Sequence, residues 1–273
     1  MDTQKKDYYQ YKGFLKTNPI FTPETNPFQQ KMFQLNDDNY GIDGLELKSN
    51  LMLGKRAESF FKHQLTNCKN FSILKENIQI QKEKRTIGEI DAIVKDNITK
   101  KIKHIEVSYK FYLFDITMEG QEIHKWVGPN RNDNLIKKVN KLQSHQFPLL
   151  HTKEAKNIFN DLIIDLIEQE VLFKAQLFIP YPLKNHIFTS INPKAITGFH
   201  YTYSDFLKKD VNNSLFYIPE KQDWLALPSS NKTWRNFKEV EAEISDNLKK
   251  QKSPLVWIQV NDSTYESVFI TWW

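Results

Sequence analysis

Gly88-Glu89-Ile90-Asp91-Ala92-Ile93, followed after a short polar break by His104-Ile105-Glu106-Val107-Ser108-Tyr109-Lys110-Phe111, is the stretch from which the fold is read. Both segments alternate polar and apolar residues, the period of a half-buried strand. Glu89 and Asp91 project from one side of the first strand, and Ile90, Ala92 and Val94 from the other. On the second strand His104, Glu106, Ser108 and Lys110 oppose Ile105, Val107, Tyr109, Phe111 and Leu113. Side by side, the two strands put Asp91, Glu106 and Lys110 on one surface. Two carboxylates and an ammonium are what a hard divalent cation and an activated water require. A half-exposed antiparallel pair shows the same alternation with no chemistry attached, and a third acid weighs against that plainer reading. From Leu51 to Leu65 the residues Leu53, Ala57, Phe60, Phe61 and Leu65 recur at helical spacing. Glu58 falls on or beside this apolar stripe, where an acid needs a partner.

Working outward, 273 residues suffice for one large domain or two small ones. Apolar residues at 40% and aromatics at 13% indicate a folded chain. A single cysteine, Cys68, excludes an internal disulfide framework, fits a reducing cytoplasm, and reads as a packing residue. The polar start, Met1 to Asp7, does not read as a secretory signal. The most apolar region, Ile158 to Pro180, is interrupted by Asp161, Asp165, Glu168, Glu170 and Lys174, so no membrane span is expected. A net charge of +5 permits a nucleic-acid partner without arguing for one.

Residues 1–45 are rich in Asn, Gln, Tyr and Pro, with turn signals at Asn18-Pro19, Asn26-Pro27 and Asp37-Asp38-Asn39. They read as an N-terminal arm containing a short helix or strand. The segment 46–185 reads as the core: the helix around Glu58, a strand over Phe71 to Gln81, the two polar-faced strands, and a helix through Leu135, Ile136, Val139 and Leu142 capped by Asn132 or Asp133. A second helix over Lys153 to Glu170 and a strand over Val171 to Pro180 complete it. This order of helix, three strands, helices and strand makes an α/β unit whose last strand joins beside an earlier one through a helical crossover. Residues 186–273 read as a smaller α+β lobe. It has strands at Gly198 to Tyr203, Leu215 to Pro219 and Leu255 to Val260, a charged helix from Lys232 to Lys250, and a final strand toward Ile270.

These blocks resemble the PD-(D/E)XK, or restriction-endonuclease-like, nuclease superfamily. Its core carries a Glu on a helix, an Asp on a hairpin strand, and Glu-X-Lys on the next strand, in a mixed sheet flanked by helices. More narrowly, Leu53-Gly54-Lys55-Arg56-Ala57-Glu58, Gly88-Glu89-Ile90-Asp91, Glu106 through Leu113, Trp126-Val127-Gly128-Pro129-Asn130 and Ile218 through Leu225 are similar to an uncharacterised bacterial domain-of-unknown-function family within that superfamily. Ser108 stands where the superfamily usually has its lysine. Lys110 keeps the same face about 6 to 7 Å farther along the strand.

The resemblance implies a Mg²⁺- or Mn²⁺-dependent nuclease acting on DNA or RNA. Asp91 and Glu106 would be the main metal ligands, with Glu58 binding directly or through water and the Val107 carbonyl a further donor. Lys110 would orient the nucleophile, while Glu89, Ser108 and His104 are secondary candidates. For nucleic-acid binding the residues are Asn130, Arg131, Lys137, Lys138, Lys141 and Gln143, with Gln146 on the same helix. Lysines on a helix are usually a solvated face. Of His104, His124, His145 and His151, none has paired zinc spacing with another. Trp224, Trp234, Trp257, Trp272 and Trp273 could stack on bases, although packing is their commoner use. Two-stranded substrates cut at paired sites would need a homodimer. Two other readings stay open. One is an inactive nuclease-fold protein that binds nucleic acid or a protein partner, and the other is a stable α/β protein whose acids pair with Lys110 and Arg56.

Overall fold

The computed structural model describes residues 3–35, 41–48, 51–209 and 213–273, so the turn signal at Asp37-Asp38-Asn39 lies outside the described residues. In chain order the elements are α1 (Thr3–Lys16), β1 (Lys31–Met32), α2 (Leu53–Asn67), β2 (Phe71–Lys82), β3 (Arg85–Asp96), β4 (Ile102–Phe114) and β5 (Trp126–Val127). They continue with α3 (Leu135–Lys141), α4 (Phe147–Leu149), α5 (Lys153–Ile158), β6 (Glu168–Pro180), β7 (Ile196–Thr202) and α6 (Tyr203–Phe206). The last are β8 (Leu215–Tyr217), α7 (Phe237–Lys249), β9 (Leu255–Gln259) and β10 (Tyr265–Thr271). The chain is α/β, with ten strands in mixed pairing and flanking helices. It forms two compact units, each drawn from separated segments. One contains residues 21–109 and 136–174, and the other residues 1–20, 110–135 and 175–273.

In the first unit the strand order is β2-β3-β4-β6, with β1 parallel to β6. β2 and β3 form a long antiparallel hairpin whose register shifts between Ile73 and Lys75. The chain leaves β4, passes through α3, α4 and α5, and returns as β6 next to β4 in the sheet, as the helical crossover required. Ile80, Ile90, Ile93, Leu149, Leu150, Phe159, Ile164 and Ile167 form one buried apolar cluster on these strands. Ile90 and Ile93, three residues apart, both belong to that cluster.

The helix expected over Lys153 to Glu170 is shorter. α5 ends at Ile158, and β6 already begins at Glu168. The Thr152 side chain caps the start by accepting from the Ala155 amide, and the intervening chain turns so that Ile164 and Ile167 enter the core. α3 begins at Leu135, directly after Asn134, which forms a β-bridge with Val127.

In the second unit β6, β7 and β10 run parallel, and β9 and β8 add antiparallel at the edge. The charged helix α7 starts at Phe237, five residues after the expected Lys232. Asn236 and Glu239 form a capping box there that fixes the first turn. Its Val240 and Ile244 pack with Phe206, Phe216, Val256, Val268 and Ile270. α1 belongs to this unit, where Gln10 donates to Asp223 at 2.6 Å and Lys6 pairs with the same carboxylate at 2.9 Å. Several C-terminal tryptophans have ring partners: Trp224 packs on Phe111 and Phe269, Trp257 on Tyr217, and Trp234 on Tyr265. Among the described residues no helix is long and apolar enough to cross a membrane.

Candidate metal centre

Three elements of the first unit supply the site. α2 forms because Ala57, Phe60, Phe61 and Leu65 line one face of a helix and are fully buried. That burial fixes the helix rotation and sets Lys55 and Glu58 at its first turns, half in solvent. β3 contributes Glu89 and Asp91. Carboxylate oxygens of Glu58, Glu89 and Asp91 all lie within 4.8 Å of one another. Lys55 Nζ bridges two of them, 2.7 Å from Glu58 and 2.5 Å from Glu89.

Asp91 stands on β3 just past the last residue paired with β4. The paired residues of β3 and β4 run from Lys95 and Ile102 to Ala92 and Ile105. Beyond them the Val107 amide donates to the Asp91 side chain at 2.8 Å. The Asp91 carboxylate thus takes up a β4 amide just beyond the paired residues. Burial pushes the Asp91 carboxyl up, and the neighbouring charges of Glu106 and Glu58 push it further. The Val107 amide and Lys55 oppose the shift, and the result is about 8. Glu58 is also raised, first by burial, with Glu89 and Glu106 adding to it against the pull of Lys55. Burial works against the Lys55 ammonium, but its hydrogen bonds to Glu58 and Glu89 prevail and hold it above the ordinary lysine value.

Glu106, fully buried on β4, lies outside the three-carboxylate group but acts on Asp91 and Glu58 through its charge. Both its oxygens are held. His104 Nε2 lies 2.9 Å from Oε1, and Gln146 Nε2 donates to Oε2 at 3.0 Å. The same Gln146 amide donates to the Glu89 carbonyl at 3.1 Å. Gln146 gets there because Leu142–Gln146 is a π-helical turn between α3 and α4, a local widening frequent at functional sites. Gly88 permits the approach of the next turn, since a Cβ there would lie 2.6 Å from a Leu149 methyl.

The other expected residues fall elsewhere. Lys110 belongs to the second unit and pairs with Asp133 at 2.6 Å. Ser108 is buried, and its hydroxyl finds no partner among the described residues. In the second unit Asn130 accepts from the Ser253 amide, while Arg131 pairs with Asp115 at 2.7 Å and lies over the Trp273 ring. α3 has seven residues, and Lys137 and Lys141 on it are exposed. Gln143 donates to the Pro27 carbonyl. The residue that strand periodicity could not find is Lys55. Its signal was spacing, three positions before Glu58 on a helix, where side chains are neighbours.

Oxygen-only donors suit Mg²⁺ or Mn²⁺. Ligand oxygens on one such ion lie at most about 4.2 Å apart with bonds of about 2.1 Å, so the present spacing fits after slight side-chain closure. Fold and site together define a mixed α/β protein with an acidic centre built by one helix and two strands. The chain belongs to the family described as Domain of unknown function (DUF1853), whose model matches residues 20–268. No curated protein and no solved structure matches it.

Proposed function

We propose that the chain is a Mg²⁺- or Mn²⁺-dependent nuclease with a restriction-endonuclease-like core, hydrolysing phosphodiester bonds in DNA or RNA. The observation that carries this reading is the convergence of Glu58, Glu89 and Asp91, the last raised to about 8 by burial first and then by the charges of Glu106 and Glu58. The Lys55 ammonium offsets the repulsion between Glu58 and Glu89, and a bound divalent ion would offset that of the whole group, Asp91 included. The element order α2, β2, β3, β4, with Glu58, Asp91 and Glu106 on helix, hairpin strand and next strand, also agrees with such a core.

When bound, the ion would lower the pKa of its water and offset charge on the scissile phosphate. Asp91, Glu58 and Glu89 would hold it, with Glu106 beside them as a further ligand. Asp91 surrenders its proton on becoming a ligand, as ligation requires. Lys55 takes the part expected of Lys110: an ammonium with three donors on a flexible stem, placed to orient the attacking water and meet charge gathering on the phosphoryl oxygens.

The test is calorimetric titration of Mn²⁺ and Mg²⁺ into the wild type and the Asp91→Ala/Glu106→Ala double variant, with a panel of DNA and RNA substrates followed for cleavage. Binding and cleavage in the wild type, both lost in a folded double variant, are expected. No metal binding by the wild type refutes the reading. One observation favours a binding-only protein of the same fold: Ser108 fills the usual lysine position and Lys110 is engaged by Asp133. That alternative is recognised by nucleic-acid binding without cleavage at saturating Mn²⁺.

A further inference from the structure

Behind Glu106 lies a buried polar chain that the metal reading does not use. Gln169, at the start of β6, donates its amide to the Phe147 carbonyl at 2.8 Å. An acceptor at that end can only face the NH₂ group, so the orientation of the amide is determined by this bond. The same nitrogen stands 3.0 Å from His104 Nδ1. With an N–H pointing at it, Nδ1 must present its lone pair, so the ring hydrogen resides on Nε2 and is donated to Glu106 at 2.9 Å. The imidazole is completely buried and rests edge-on against Phe147. Complete burial leaves neither nitrogen to water, so each must be matched inside the protein, one as acceptor and one as donor. All three partners sit on separate elements: β4, β6 and the turn at Phe147.

We propose that His104 is a positioning residue for the metal centre, locked in its Nε2–H form by Gln169 so that it fixes one oxygen of Glu106 while Gln146 fixes the other. This inference rests on the metal reading above. Glu106 then enters ligation with its carboxylate plane already set, and no rotamer freedom is lost when the ion arrives. Partners of this outer kind typically alter metal affinity by about 10 to 100-fold when removed. The sequence placed His104 on the polar face of its strand, but only the fold reveals Gln169, distant in sequence, as the group that sets its tautomer.

The experiment joins two readouts. ¹⁵N NMR of the metal-free wild type should show His104 as the Nε2–H tautomer, and Gln169→Leu should convert it to a mixture. Mn²⁺ calorimetry should show His104→Leu, close in volume but without a donor, binding about 10 to 100-fold more weakly. His104→Gln, whose amide nitrogen can take the place of Nε2, should stay within about threefold of wild type, a rescue that a purely volumetric role would not give. Gln169→Leu supplies the affinity comparison if His104→Leu does not fold. An Nδ1–H or doubly protonated ring in the wild type overturns the proposal whatever the metal result, as does unchanged Mn²⁺ affinity in folded His104→Leu or Gln169→Leu. Wild type that binds no Mn²⁺ while showing the Nε2–H tautomer overturns the metal reading itself.

Discussion

Asp91 concentrates the physics of the site in one side chain. Its carboxyl is raised from 3.8 to about 8 by burial and by the charges of Glu106 and Glu58. The folded protein therefore holds this proton more tightly than the unfolded chain. The associated stability is fully present below about pH 4 and is lost as pH rises through about 8. In chelator, Asp91→Asn should be nearly neutral at pH 5 and more stable than wild type at pH 9, by on the order of 1 to 3 kcal/mol. Urea unfolding at the two pH values measures this, and an unchanged difference would refute the shift. Saturating Mn²⁺ at pH 9 should reverse the order, because only the wild type keeps the full ligand set. A second expectation concerns the lysines. Lys55→Gln should lower cleavage by about 10² or more with Mn²⁺ binding retained, and Lys110→Gln should leave the rate within about threefold, both read from single-turnover kinetics. The reverse pattern, a loss confined to Lys110→Gln, would return the ammonium role to Lys110. Strand periodicity made Glu89, Asp91 and Glu106 legible, since facing follows from alternation. It could not distinguish Lys55 from Lys110, because partner choice depends on where α2 docks and on Asp133.

Elements explain why some boundaries were readable and others were not. β2, β3 and β4 follow from β-branched and aromatic alternation, and α2 from its apolar stripe. The region after Leu142 resisted, because a π-turn is a backbone choice with no side-chain period of its own. So did residues 159–167, whose apolar side chains suit a helix as well as the turn and short 3₁₀ segment that bury Ile164 and Ile167. The π-turn has a testable consequence. Gln146 reaches Glu106 and the Glu89 carbonyl from it, so removing Ser144 should draw the turn back to α-helical pitch and rotate Gln146 by about 100°. The expected result is a folded protein with Mn²⁺ affinity reduced at least as far as in Gln146→Leu, measured by calorimetry. Wild-type affinity in the deletion would mean that the π-turn has no part in placing the amide.

At the scale of the molecule, sequence neighbourhood and structural neighbourhood diverge. The first unit includes residues 21–109, so aromatic side chains well before α2 complete its core. Phe21 packs edge-on against Phe173, Phe28 against Phe147, and Phe33 against Phe61, with centroids 5.9, 6.1 and 5.6 Å apart. Phe147 in turn lies against His104, which places this N-terminal packing one ring away from the support of Glu106. A fragment of residues 46–185 retains every carboxylate of the site but loses Phe21, Phe28 and Phe33. Each lost aromatic ring removes stabilisation on the order of 3 to 5 kcal/mol when cut from a core, and three together approach or exceed the stability of a typical domain. That fragment should show no cooperative thermal transition and no defined near-ultraviolet dichroism, while the full chain shows both. It should also fail to bind Mn²⁺, although its ligands are intact. A cooperatively folded, metal-binding 46–185 fragment would show that the site needs only the strands and helix that bear it. If the fragment fails, the full-length Phe21→Ala/Phe28→Ala/Phe33→Ala variant separates the causes: loss of Mn²⁺ binding there makes the burial those three rings supply as necessary to the centre as the acids, and retention assigns the failure to the removal of residues 186–273.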